Sequence, residues 1–363
     1  MRRPGNVLSM SLLAVLLGLA AGALLMAAIG ADPLEGYTFL VKGGLMNIER
    51  VGNTLATATN LTLTGLSVAF AFRTGLFNIG AAGQMLIGGL CSTSVALLVT
   101  APRPLLLALV VMAGFLGGAL WGFLPGYLKA RFNVHEVVAT IMMNWIAYWV
   151  VYYTVPARLK GSYLETESAL IPAAASLRTE WLETVFRGSY INLGLLVALF
   201  SVIVIHILLR RTTLGFELKA VGYNRNAADN AGIRVDRDIV LSMMIAGGLA
   251  GLAGATFYTG YASNMQIGVL PSQGFDGIAV ALLGASEPLG VFASALFFGV
   301  LHSGKGFMNA MTNIPPEISD TIIATIIYFT ATSVLIGRIW GFLRRRGVRK
   351  KENPAKEAEG DGV

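Results

Sequence analysis

The chain has 363 residues, of which 55% are hydrophobic and only 13% charged, about half the charge a soluble domain of this size carries. A soluble enzyme fold is thereby excluded, and with a mean hydropathy of +0.67 apolar runs long enough to cross a bilayer recur along the whole sequence. The net charge of +7 reads as Lys and Arg gathered in loops on one side of a membrane, not as a nucleic-acid surface, and the single cysteine, Cys91, leaves no disulfide framework.

The first segment has a basic start (Arg2, Arg3) and an apolar stretch to about Ile29. It is long enough to span, so it reads as a retained helix and not as a cleaved leader. Ten spans are expected, at 7–30, 54–72, 76–100, 104–128, 135–156, 190–209, 239–261, 268–285, 288–304 and 317–337. An even number returns both termini to one side. The segments so assigned to the cytoplasm hold 19 of the 27 Lys and Arg, as the positive-inside rule requires. The parity depends on splitting 262–304 at the turn GASEPLG, Gly284–Gly290.

The predicted fold is therefore all-α and polytopic. A transmembrane domain covers 1–337, with an extracytoplasmic loop at 157–189 and a cytoplasmic loop at 210–238. A basic cytoplasmic tail at 338–363 ends in a polar stretch expected to be disordered. Ten spans divide into two sets of five with opposite orientation, the inverted repeat common in transporters. Interruptions fall at matching places, in FRTGLFNIGAAGQ (Phe72–Gln84) and MQIGVLPSQGFDGIAVALLG (Met265–Gly284). Gly114, Gly118, Gly122 and Gly126 draw a smooth stripe along the fourth span, and Gly247, Gly251 and Ala255 another along the seventh; both are packing signals.

Chemistry of its own is hard to find in the chain. Gly299–Gly306 (GVLHSGKG) matches a P-loop up to Lys305, then offers Gly306 where magnesium needs Ser or Thr. His135, His206 and His302 are scattered without metal-ligand spacing. Asp320 reads as an interfacial charge, whereas Glu136 and Asp276 sit beside unusual polar runs. Glu136, Thr140 and Asn144 recur at helical spacing on one face, and Asn78, Gln84 and Phe275 lie on the two breaks. Such amides and hydroxyls suit a neutral, polar, ring-bearing solute, or alternatively bond helix to helix. Asn78, Gln84, Thr140, Asn144, Phe275 and Asp276 are the candidate path residues, and Glu136 the candidate gate. Outside, Leu177, Trp181, Leu182 and Phe186 suggest a surface helix.

One polar island remains, Thr212–Val235. LGFELKAV is a helix former stopped by Gly222, and Asn224 can cap a second short helix, RNAADNA, ended by Gly232. A rigid cytoplasmic knob of this kind suits a pump whose ATPase is a separate chain.

The blocks GLFNIGAAGQMLIGG, FNVHEVVATIMMNWIAYW, LKAVGYNRNAADNAGI and GFDGIAVALLGASEPLGV occur in order. Together they resemble the signatures of bacterial ABC-transporter permeases of the branched-chain amino acid/simple sugar superfamily, and are most similar to its nucleoside-uptake branch. The resemblance implies a permease of an ATP-driven nucleoside importer in the bacterial inner membrane, with both termini cytoplasmic. It implies as partners a second permease, a cytoplasmic ABC ATPase and an extracytoplasmic binding protein. ATP and Mg would sit on the ATPase, with no cofactor in this chain. Gly215, Glu217, Gly222, Asn224, Ala227, Ala228, Asp229 and Gly232 would then form the ATPase-coupling element. Relatives usually carry Glu where this chain has Ala82. A simple-sugar permease is the near alternative, and an ion-coupled secondary carrier the distant one.

Overall fold

The computed structural model describes residues 4–161 and 165–332. The first half contains α1 (Pro4–Ala28), α2 (Pro33–Leu45), α3 (Ile48–Arg73), α4 (Ala81–Leu98), α5 (Arg103–Phe132) and α6 (Glu136–Thr154). A π-helical turn at Val155–Leu159 continues α6, and a short helix α7 (Glu180–Val185) follows. The second half contains α8 (Gly194–Arg211), α9 (Thr213–Tyr223), α10 (Arg225–Asn230), α11 (Val235–Thr256), α12 (Gln273–Leu283), α13 (Pro288–Thr312) and α14 (Glu317–Ala331). In lipid every backbone N–H and C=O must be satisfied within the chain, which is why helices carry the whole structure. Among the described residues, α1, α3, α4, α5, α6, α8, α11 and α13 are each long and apolar enough to cross a membrane.

Two predicted spans are broken. The one expected at 268–285 is an irregular segment, 262–272, followed by the 11-residue α12, which is only about 16 Å long at 1.5 Å per residue. Pro271 has no N–H to give a helix, and Gly268 sits at φ +79°, so helix cannot extend through this stretch. The span expected at 76–100 likewise begins as helix only at Ala81, after Gly75 turns the chain at φ +73°. The tail expected from residue 338, and the end of the span expected at 317–337, lie outside the described residues.

The helix α2 has no counterpart in the sequence prediction. Asp32 caps it, Oδ1 accepting from the Leu34 N–H at 2.8 Å, and Pro33 starts it. Its 13 residues include Glu35 and Lys42, too short and too polar for a span. It lies instead on α13, with Gly43 facing the Gly304 backbone so closely that a Cβ would stand 2.8 Å from the Gly304 Cα.

The centre of the molecule is α3, α4 and α11. The two glycine stripes meet each other there. A Cβ on Gly118 would fall 2.2 Å from the Gly247 oxygen, and one on Gly251 2.1 Å from the Gly114 oxygen, so α5 and α11 cross with backbones in contact. The packing also repeats with inversion: α3 lies on α12 and α13, as α11 lies on α4 and α5. Both α5 and α13 end at a left-handed asparagine, Asn133 at φ 51° and Asn313 at φ 57°, and each is followed by a helix that starts with Glu, at Glu136 and Glu317. The exchanged pairing and the matching turns fit the expected inverted repeat.

Candidate functional site

The two interruptions bring two helix starts together in the interior. The segment 74–80 climbs from the end where α3, α8 and α13 are tied by Glu287, which accepts from Arg73 at 2.5 Å and Arg210 at 3.4 Å. The segment 262–272 descends from the opposite end. The first turns of α4 and α12 meet so tightly that a Cβ on Gly274 would stand 2.4 Å from the Ala82 Cα. Both Ala82 and Gly274 are buried.

A helix start leaves N–H groups without intrahelical partners, and two of the predicted path residues, Asn78 and Asn144, accept from them. Asn78 Oδ1 accepts from the Gly80 N–H at 3.1 Å, while its Nδ2 donates to Gln84 Oε1 at 2.8 Å and to Ser67 Oγ at 3.2 Å. Asn144 Oδ1 accepts from the Gly83 N–H at 2.8 Å, and its Nδ2 donates to the Ile79 oxygen at 3.0 Å. Thr140 Oγ1 donates to the Glu136 oxygen of its own helix at 2.8 Å, with its methyl side against Gly80. The structure thus joins Asn78, Gln84, Thr140 and Asn144 around the start of α4, all of them buried. In this conformation their bonds are made inside the fold, which is the helix-to-helix use that the sequence left open. Asn144→Ala leaves two buried groups unpaired and is expected to lower stability by roughly 2–4 kcal/mol. Thermal unfolding in detergent should show the midpoint drop, and an unchanged midpoint would contradict this role.

Phe275 and Asp276 lie elsewhere, on the first turn of α12 away from α6. Phe275 is partly exposed. Asp276 faces a cavity of about 240 Å³ shared with Ser272, His302, Lys305 and Asp320. Its Oδ2 is 3.5 Å from His302 Nε2, and Lys305 Nζ pairs with Asp320 at 2.9 Å. Sequence reasoning missed this grouping. His302 and Lys305 were occupied by the P-loop comparison, and Asp320 passed as interfacial. The available signal was His302 and Lys305 three residues apart on one face of an apolar helix. The P-loop match itself lies wholly inside α13, so its backbone N–H groups are spent in the helix and cannot cradle phosphate. The candidate gate Glu136 pairs with Lys129 at 3.0 Å, both side chains nearly covered, where α5 turns into α6.

The island between α8 and α11 forms the expected pair of short helices. Thr212 Oγ1 accepts from the Gly215 N–H at 3.1 Å, and Asn224 Oδ1 caps α10 by accepting from Ala227 N–H at 3.1 Å. Gly232, at φ +82°, closes α10 while Ile233 N–H donates back to the Ala228 oxygen at 3.1 Å. Glu217 accepts from Arg237, which also donates to the buried Asp238 at 2.9 Å, pinning α9 to α11. Ala228 is buried, and Ala227 and Asp229 are exposed. Gly222 differs from expectation. The helix α9 runs on to Tyr223 and stops at the extended Asn224. Gly222 serves close approach instead, since a Cβ there would stand 2.3 Å from the Arg73 oxygen. Two exposed aromatics, Phe216 and Tyr223, lie seven residues apart on one face of α9 and were also missed.

Residues 50–331 match the family described as branched-chain amino acid transport system, permease component. The chain is 42% identical to guanosine ABC transporter permease protein NupP of Bacillus subtilis, over 93% of this chain and 96% of that protein. It is 40% identical to nucleoside ABC transporter permease protein NupB of Lactococcus lactis subsp. cremoris, over 90% and 91%. Glucose ABC transporter permease protein TsgB13 of Haloferax volcanii is 30% identical over 90% and 87%. Shorter stretches match a second permease of the first two organisms, NupQ at 29% over 133 residues and NupC at 30% over 110 residues. No solved structure matches.

Proposed function

The chain belongs to the permease family of branched-chain amino acid transport systems, and from that premise we propose that it is the transmembrane permease subunit of an ATP-driven importer of nucleosides. The observation that carries the substrate class is the likeness to two permeases named for nucleosides and guanosine, at 40% and 42% identity over nearly the whole of each chain. The sugar reading has a glucose permease at 30% behind it and is the weaker one.

The subunit is a permease without an ATP site of its own, so hydrolysis takes place on a partner ATPase. The helix pair α9–α10 is its seat. It is fastened to the transmembrane body by Gly222 against Arg73 and by the Glu217–Arg237 pair, and it offers two exposed aromatics of the kind that dominate protein interfaces. The matches to NupC and NupQ support a second, related permease as the other wall of the path. A binding protein outside would deliver the solute, which the permease itself holds weakly so that release is not impeded. The Lys and Arg distribution supports placing α9–α10 and both termini in the cytoplasm of a bacterial inner membrane. In this reading Asn78, Gln84, Thr140 and Asn144 shape the break beside the path, Phe275 and Asp276 line it, and the Glu136–Lys129 pair opens when the cytoplasmic end does.

The test is uptake of labelled guanosine, adenosine and ribose in cells with and without the chain, before and after ATP depletion. Nucleoside uptake alone should depend on both the chain and ATP. Loss of ribose uptake alone would transfer the assignment to sugars, and uptake that survives ATP depletion but follows an ion gradient would overturn the machine. Phe216→Ala with Tyr223→Ala should lower nucleoside uptake at least roughly tenfold if each aromatic anchors the ATPase, at unchanged membrane abundance. Uptake near wild type in that variant would remove α9 from the contact.

A further inference from the structure

The cavity between α12, α13 and α14 is lined by Asp276, His302, Lys305 and Asp320 together with Ile323 and Ile327. Ionisable groups within a bilayer persist where they face protein or a watery path. Lys305 and Asp320, the more exposed pair, bind each other at 2.9 and 3.2 Å and cancel. The deeper pair is unspent. His302 Nε2 is buried without a hydrogen bond, 3.5 Å from Asp276 Oδ2, too far to satisfy either. Among the described residues no other donor reaches the Asp276 carboxylate. Asp276 lies in the first turn of α12, where the helix start favours a negative charge.

We propose that this cavity is a subsite for the ribose ring of a nucleoside, resting on the nucleoside reading above. The two oxygens of Asp276 accept the 2′- and 3′-hydroxyl protons, and His302 Nε2 completes the polar contact. A vicinal diol presents two O–H donors side by side, and a carboxylate with both oxygens free is the side chain that accepts two at once. The aliphatic wall of Ile323 and Ile327 suits the carbon face of the sugar.

The experiment compares uptake of guanosine and 2′,3′-dideoxyguanosine by the complete transporter in cells, for wild type, Asp276→Asn and His302→Gln, with membrane abundance measured alongside. Binding protein and ATPase are common to all three, so a change in the ratio belongs to the permease. Asp276→Asn should lower guanosine uptake about tenfold, roughly the worth of one hydrogen bond to a charged group, and leave dideoxyguanosine uptake little changed. His302→Gln should move the ratio in the same direction by less. If Asp276→Asn fails to reach the membrane, the His302→Gln ratio decides alone. Equal losses for both nucleosides, or an unchanged ratio, in variants present at wild-type abundance would overturn the subsite. Absence of any nucleoside uptake by the wild-type transporter overturns the nucleoside reading, a result distinct from an unchanged ratio.

Discussion

Gly222→Val abolishes transport while leaving the protein folded in the membrane. The first side-chain carbon would stand 2.3 Å from the Arg73 oxygen and 3.0 Å from the Thr74 carbonyl carbon, well inside contact distance. Neither side can yield. Arg73 donates to the Ser286 oxygen at 3.0 Å and to Glu287, and Thr74 shares a hydrogen bond of 2.8 Å with Ser242. The α9–α10 pair must therefore lift off the transmembrane body, and, on the proposed reading, the force of a partner ATPase no longer reaches the break at 74–80. Lifting the pair also loosens the apolar cluster in which Val221 and Ala228 pack with Ala71, Leu76 and Met243, so the unfolding midpoint in detergent should fall by the equivalent of about 1–3 kcal/mol without loss of the fold, while ATP-driven uptake falls at least roughly tenfold. Uptake above half of wild type, at equal abundance, would show that the contact between Gly222 and Arg73 does not carry the coupling.

Gly251→Val should have the opposite character: the chain fails to fold. Its added carbon would meet the Gly114 oxygen at 2.1 Å, the Gly118 Cα at 2.9 Å and the Gly118 N at 3.0 Å. The substitution thus separates α11 from α5 at the centre of the molecule. Between helices in lipid no hydrophobic driving force compensates, because packing is the main term, and losses above about 4 kcal/mol belong to such backbone collisions. Leu120→Val, on the exposed face of α5, is the control and should be neutral. The measurement is the monodisperse fraction after detergent extraction. A Gly251→Val protein that elutes and melts like wild type would mean that α5 and α11 do not cross in contact.

What could be read from sequence was local. Asn224 as a cap and Gly232 as a stop depend on neighbours within six residues, and both hold. The glycine stripes on α5 and α11 depend only on a four-residue spacing, and they do mate. Tertiary partners were not legible. Gly222 looked like a helix stop because the same residue suits a stop and a close approach, and only the position of Arg73 tells them apart. Periodicity put Thr140 and Asn144 on one face of α6 but could not say that the start of α4 covers that face. The grouping of Asp276 with His302, Lys305 and Asp320 draws on three helices, and no spacing rule along one helix contains it. The helix α2 escaped because it is too short and too polar to read as a span, while the contacts that hold it to α13, Leu40 in the core and Gly43 against Gly304, are tertiary.

The abutment of α4 and α12 has an electrical consequence. Each helix start carries about half an elementary positive charge from its aligned peptide groups. At α12 the carboxylate of Asp276 offsets it, whereas the first turn of α4 holds no acidic side chain. A proton or sodium ion is therefore repelled at the start of α4, much as half-helix ends exclude cations in water channels, and an uncharged solute feels no such barrier. The break before α4 thus insulates as well as shapes a route, so that a large neutral molecule can pass without short-circuiting the membrane potential.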